Sequence, residues 1–226
     1  MPANSPSSLA DSPPQAAHFE VRFGPGSRES DTRGDAALST DEPFTMEALI
    51  DGQAEQVRFT GQVDRLDLGR VGDRTVFNVI DYKTGAKNVV KPEEIHAGRQ
   101  IQLPLYALAV EQLLLADQAA APLTAGYWSV AGQGYRTAAR SGGPLAMHEV
   151  RDGALVSTEA WKTTRALLVA RIGEMIAAIR RGEFPVFNDD PQCTAYCDLR
   201  TICRIAQVRS LEKQWPPEKN RGKERG

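Results

Sequence analysis

Two short stretches of the chain carry acids and a lysine in an order suited to phosphoryl chemistry. They are Gly61-Gln62-Val63-Asp64-Arg65-Leu66-Asp67 and Val79-Ile80-Asp81-Tyr82-Lys83-Thr84-Gly85. Side chains alternate along a strand, so Asp81 and Lys83 share one face. With the two stretches paired as a hairpin, Asp64 comes beside them. Two carboxylates at close range repel unless a cation lies between them. A hard ion such as Mg²⁺ or Mn²⁺ suits Asp64, Asp81 and the Tyr82 carbonyl as oxygen ligands. Such an ion polarises a phosphoryl oxygen and acidifies a bound water, and Lys83 can orient that water or neutralise developing charge. A surface Asp–Lys pair, worth little on its own, is the plainer alternative. Against it, Asp81 sits on a strongly apolar strand, a costly place for an unpaired charge.

The second chemical feature is sulfur. Cys193, Cys197 and Cys203 are all the cysteines of the chain, and they fall within eleven residues as C-x3-C-x5-C. Clustering of this kind points to a metal more than to core packing. Soft thiolates suit zinc or an iron–sulfur cluster. Cys193 and Cys197 are four apart, so a helix would stack them on one face.

The elements that must position these groups follow from patterning. Phe19, Val21 and Phe23 alternate with polar residues, as in a half-buried strand beginning near His18. Residues 24–43 read as a loop. Strand-like runs follow at Phe44–Leu49, Val57–Leu68 and Thr75–Lys83, with a turn in Gly69–Asp73. The last run is apolar on both faces, which predicts a central strand of an α/β sheet. Pro92-Glu93-Glu94 starts a helical stretch reaching Ala116, with a break near Gly98. Leu123–Val130 and Met147–Val150 read as further strands. A long helix covers Glu159–Arg181, where Trp161, Thr164, Leu168, Ile172, Met175 and Ile179 form one stripe.

The 226 residues suffice for one sizeable domain, and 41% hydrophobic with 25% charged residues supports a globular core. Mean hydropathy is -0.38, and no apolar run reaches the ~18 residues of a membrane span. A secretory signal pattern is absent, so a cytoplasmic location is expected. A net charge of -2 gives no global attraction to nucleic acid, so DNA binding would rest on a local patch or a metal. Four prolines and four serines mark residues 1–17 as a disordered leader. From Arg204 onward, seven Lys/Arg stand against three Glu, most simply as a solvated basic end.

The stretches GQVDRLD, VIDYKTG and QIQLPLYALA resemble the core motifs of the PD-(D/E)XK nuclease superfamily. The likeness is strongest to the C-terminal nuclease domains of RecB- and AddB-like recombination exonucleases, and runs from about His18 to Arg204. It implies an α/β fold with a mixed central sheet flanked by helices, restriction-endonuclease-like, and a C-terminal cysteine-cluster segment. The domains are then a leader (1–17), a nuclease-like core (18–190), an iron–sulfur segment (191–209) and a basic tail (210–226). The resemblance makes Asp64 and Asp81 metal ligands and Lys83 the catalytic lysine. It sets Gln102 and Tyr106 near the active site, one helical turn apart. It also implies a 4Fe–4S cluster on Cys193, Cys197 and Cys203. The usual spacing is C-x2-C-x5-C, one residue shorter than here, and the fourth cysteine lies far upstream, outside this chain.

The function implied is metal-dependent DNA exonuclease activity in double-strand break repair and recombination, with DNA and a helicase domain or subunit as partners. The family also carries a histidine or glutamate on a helix before the first strand. His18 reads more as a surface residue than as that ligand, His96 is a weak candidate, and His148 reads as structural or exposed. The chain is therefore expected to be an incomplete nuclease. The alternative is a catalytically incomplete module that keeps the fold to bind DNA or a helicase. A zinc-binding adaptor is a third reading, and it leaves the carboxylates unexplained. No G-x-x-x-x-G-K-[ST] motif is present, so the chain is not itself an ATP-driven helicase.

Overall fold

The computed structural model describes residues 12–27, 35–84, 90–132, 134–135, 143–184, 192–203 and 205. The chain forms two compact units, Met1–Glu174 and Met175–Gly226. The first holds strands β1 (Ser12–Phe23), β2 (Phe44–Ile50), β3 (Gln53–Phe59), β4 (Gly61–Val71) and β5 (Arg74–Lys83). After them come helices α1 (Pro92–His96) and α2 (Gln102–Ala109), the latter running on into a π-helical turn at Val110–Leu114. Strands β6 (Ala121–Ser129), β7 (Gly134–Tyr135), β8 (Leu145–Ala146), β9 (His148–Arg151) and β10 (Ala154–Ser157) follow. Helix α3 (Glu159–Arg180) leads into the second unit, which contains α4 (Cys193–Tyr196).

The main sheet runs β1-β4-β5-β6-β7, with β8 also paired to β6. β4 is antiparallel to β1 and β5, whereas β5 and β6 are parallel. A parallel pair requires a crossover, and the segment carrying α1 and α2 supplies it. The expected mixed α/β sheet flanked by helices is thus the observed one. β5 is central because it is apolar on both faces: Val76, Phe77, Val79 and Ile80 are at most 1% exposed.

Several elements differ from expectation. Ordered strand begins at Ser12, so the leader read over residues 1–17 gives up its last six residues to β1. Pro13 and Pro14 are tolerated because β1 is an edge strand and because its pairing with β4 is interrupted between Ser12 and Gln15, so neither proline has to donate to the ladder. Gly69 helps: a Cβ there would lie 2.6 Å from the Ser12 carbonyl oxygen. Residues 1–11 and the tail from 206 lie outside the described residues. The run Val57–Leu68 divides at Thr60, and β2 with β3 forms a separate two-stranded sheet closed by Asp51-Gly52, both at positive φ. That pair is the usual chemistry of a two-residue hairpin turn.

Helix α3 starts on Thr158, whose Oγ1 accepts the Trp161 amide at 3.1 Å. It ends at Gly182 (φ +71), with the Glu183 amide donating to the Ala178 carbonyl at 2.9 Å. Trp161, Thr164, Leu168 and Ile172 are buried as the stripe requires. Ile179 is 57% exposed, however, and Ala177 and Ala178 take the buried positions in that turn. Among the described residues, no helix is long and apolar enough to cross a membrane.

Candidate active site

The antiparallel ladder of β4 and β5 pairs Arg65 with Ile80 and Leu66 with Val79. Asp64 therefore stands one step beyond the last pair, beside Asp81. Its Oδ2 accepts the Tyr82 amide at 2.9 Å. Asp81 is 3% exposed, and its Oδ2 lies 2.6 Å from Lys83 Nζ. Among the described residues, Lys83 is the one cation placed against this buried carboxylate. β6 completes the row: Asp81 pairs with Tyr127 and Lys83 with Ser129. Lys83 Nζ sits 5.4 Å from the centre of the Tyr127 ring, a cation on an aromatic face.

The electrostatics follow from burial. Desolvation pushes the Asp81 carboxyl above the ordinary carboxylate range; the Lys83 ammonium opposes this and the Asp64 charge adds to it. Burial, assisted by the Asp81 charge, also raises the Tyr127 phenol. A buried carboxylate next to a second carboxylate is an environment that a divalent cation relieves. The donor set is hard oxygen and suits Mg²⁺ or Mn²⁺, which bind through one or two carboxylates and otherwise keep water. Among the described residues, no group of three or more His, Cys, Asp or Glu side chains is gathered as a metal site.

The other residues singled out from the sequence are placed differently. Gln102 Nε2 donates to the Tyr106 hydroxyl at 3.3 Å along α2, and the Tyr106 ring meets Phe23 edge-on at 6.1 Å. The Tyr106 ring also lies against the start of β4, 2.9 Å from where a Gly61 Cβ would be, and among the described residues no hydrogen bond, ion pair or ring contact links Gln102 or Tyr106 to Asp64, Asp81 or Lys83. The structure ties Tyr82 to Asp64 through its amide. His18 lies well inside β1 and its Nδ1 is 2.5 Å from Asp35 Oδ2. Burial would raise the Asp35 carboxyl, but the His18 contact and the Ala37 and Leu38 amides outweigh it and hold it below the ordinary range. His96 Nε2 is 3.4 Å from Thr164 Oγ1, and His148 Nδ1 donates to the Pro122 carbonyl at 2.7 Å. Cys193 is buried, Cys197 half-buried and Cys203 exposed. Cys197 is the C-cap of this turn, at φ -84 and ψ 127, and its amide donates to the Cys193 carbonyl at 3.2 Å. Among the described residues, the three thiols are not gathered around a single-ion site.

Sequence reasoning missed three neighbours of the site. Tyr127 could be found only by knowing the parallel register across the crossover. Glu20 stands opposite Asp64, between the pairs Phe19–Arg65 and Val21–Val63. It adopts φ +54, rare for a side-chain-bearing residue, and accepts a hydrogen bond from Gln62 Nε2. Asp67 pairs with Arg65, a same-face i, i+2 pattern that was legible and unused.

Comparison with known proteins agrees with this geometry. A sequence model of the PD-(D/E)XK nuclease superfamily matches residues 7–204. One of the subunits of the ATP-dependent helicase/deoxyribonuclease of Levilactobacillus brevis is 38% identical over 95 residues, 42% of this chain. The same subunit from Exiguobacterium sibiricum is 36% identical over 77 residues, 33% of this chain. The matched stretch covers 7% of each of these two relatives, so the chain corresponds to a small part of their length.

Proposed function

The chain belongs to the PD-(D/E)XK nuclease superfamily, and from that premise we propose that it is a metal-dependent deoxyribonuclease domain. It hydrolyses phosphodiester bonds in exonuclease fashion during cytoplasmic double-strand break repair and recombination. The observation that carries this reading is the buried carboxylate of Asp81, paired with Lys83 and set beside Asp64 on the neighbouring strand. Asp64 and Asp81, with the Tyr82 carbonyl, are the ligands we assign to Mg²⁺ or Mn²⁺. When bound, such an ion supplies charge to the scissile phosphoryl group and a more acidic water. Lys83, held between Asp81 and Tyr127, offers its charge to the phosphoryl oxygens as negative charge grows there. The Tyr82 amide fixes one Asp64 oxygen and leaves the other for the cation. Gln102 and Tyr106, one turn apart, are assigned to the DNA side of the site.

A 4Fe–4S cluster on Cys193, Cys197 and Cys203, with its fourth ligand from outside the chain, is part of the proposal. Its support is three thiolates within eleven residues. The relatives' names point to a helicase as partner. The second reading, a catalytically incomplete module that binds DNA or a helicase, is favoured by one observation: no third metal-ligating side chain is gathered with Asp64 and Asp81 among the described residues.

The test is cleavage of linear single- and double-stranded DNA with Mg²⁺ or Mn²⁺. Shortening of ends that disappears in Asp81→Ala supports the enzyme. DNA binding without cleavage, in this chain and in a version extended upstream, supports the module. Brown protein with iron and sulfide after anaerobic purification supports the cluster, and stoichiometric zinc without iron overturns it.

A further inference from the structure

Arg65 and Asp67 belong to the same motif as Asp64, yet the proposed chemistry does not use them. Arg65 follows Asp64 directly, so by strand alternation its side chain leaves from the opposite face of the sheet. There its Nε lies 2.6 Å from Asp67 Oδ1, and Nη2 donates to Asp67 Oδ2 at 3.1 Å, a two-pronged contact. Nη1 donates to the Tyr82 hydroxyl at 3.3 Å. The guanidinium also sits 5.6 Å from the Trp128 ring and 6.0 Å from the Phe19 ring. Its partners therefore come from β1, β4, β5 and β6, at the level of the sheet where Asp64 and Asp81 lie. Asp67 is 6% exposed.

Tyr82 joins this cluster to the acid site. Its hydroxyl meets Arg65 on one face, and its amide holds Asp64 Oδ2. Stability alone is a weak reason for a largely buried ion pair, since apolar side chains of similar volume often serve as well. Groups that orient a ligand-bearing carboxylate are a better reason. We propose that Arg65 and Asp67 are positioning residues: by clamping the Tyr82 side chain behind the sheet, they set the β5 backbone so that the Tyr82 amide holds Asp64 for its cation.

This inference rests on the assignment of Asp64 and Asp81 as cation ligands, and the experiment separates the two. Mn²⁺ affinity of the 226-residue chain is measured by electron paramagnetic resonance, with melting temperature and hydrogen exchange at the Tyr82 amide followed in metal-free protein. Tyr82→Phe removes only the hydroxyl, and Arg65→Lys keeps the charge but neither the fork nor the stacking. Both should bind Mn²⁺ about tenfold more weakly, with faster Tyr82 amide exchange and only a small change in melting temperature for Tyr82→Phe. Wild-type Mn²⁺ affinity and amide exchange in Tyr82→Phe, whether or not Arg65→Lys folds, overturn the positioning role and leave the ligand assignment intact. If Asp81→Asn binds Mn²⁺ as tightly as wild type, the ligand assignment falls and the inference falls with it.

Discussion

The acid row and the cysteine segment are both sets of metal-ligating side chains close together in sequence, but the chain holds them differently. Asp64 and Asp81 lie on neighbouring strands whose register is fixed by a continuous ladder from Val71–Arg74 to Arg65–Ile80. Their proximity is a property of the folded sheet. The cysteines sit on a single four-residue helical turn and the segment after it, with Cys193 buried and Cys203 exposed. A helix that short has little stability of its own. The acid site is preorganised, whereas a cluster on the cysteines would have to gather its own ligands and couple their folding to metal binding.

The strongest challenge to this contrast is removal of the charged groups of the built site. Asp81→Ala and Lys83→Ala should each lower DNA cleavage by about 10²–10³-fold or more, read as nicked or shortened product per unit time. Undiminished cleavage would mean that the chemistry lies elsewhere.

Chelation sharpens the contrast next. Stripping divalent ions should leave amide exchange along β4 and β5 unchanged, because the ladder needs no metal. Stripping iron from anaerobically prepared protein should abolish protection in residues 192–205. Equal loss in both regions would erase the distinction.

A smaller effect is expected where the sheet-bearing unit is closely packed. A Cβ on Gly173 of α3 would overlap the Leu49 carbonyl of β2. Gly173→Ala should cost about 1–3 kcal/mol in denaturant unfolding, with Mn²⁺ affinity retained.

The smallest effect is with pH. The native Asp81 carboxyl is raised chiefly by burial, so between the unfolded value of about 3.9 and that raised value the native state binds more protons than the unfolded one. Metal-free stability should therefore fall as pH rises through this window. Asp81→Asn should flatten that slope.

Much of this was legible in the sequence, for physical reasons. Apolar residues on both faces of Thr75–Lys83 announced a central strand, and the alternation of Asp81 with Lys83 announced their shared face. The start of β1 was not legible, because Pro13 and Pro14 argue for disorder unless their strand is known to lie at an edge. The division at Thr60 was hidden, since β3 and β4 are each extended and only their partners differ. Neighbours contributed across the β5–β6 crossover, such as Tyr127, depend on a parallel register that no local pattern encodes. The cysteine spacing showed a helical turn from Cys193 to Cys197 but not that the turn ends there, since Cys197 is its cap.

The edge strand carries one more consequence. A free strand edge invites another chain to add to the sheet, the usual route to ordered aggregation. On β1, successive amides face opposite sides, so the pair Pro13-Pro14 removes one of the donors that such an addition would use. Further along, the segment at 35–40 already occupies the backbone: the Asp35 amide donates to Phe19, the Thr40 amide to Arg22, and the Gly24 amide to Thr40. The proline pair that makes the N-terminal stretch look unstructured thus helps to keep this side of the sheet from polymerising.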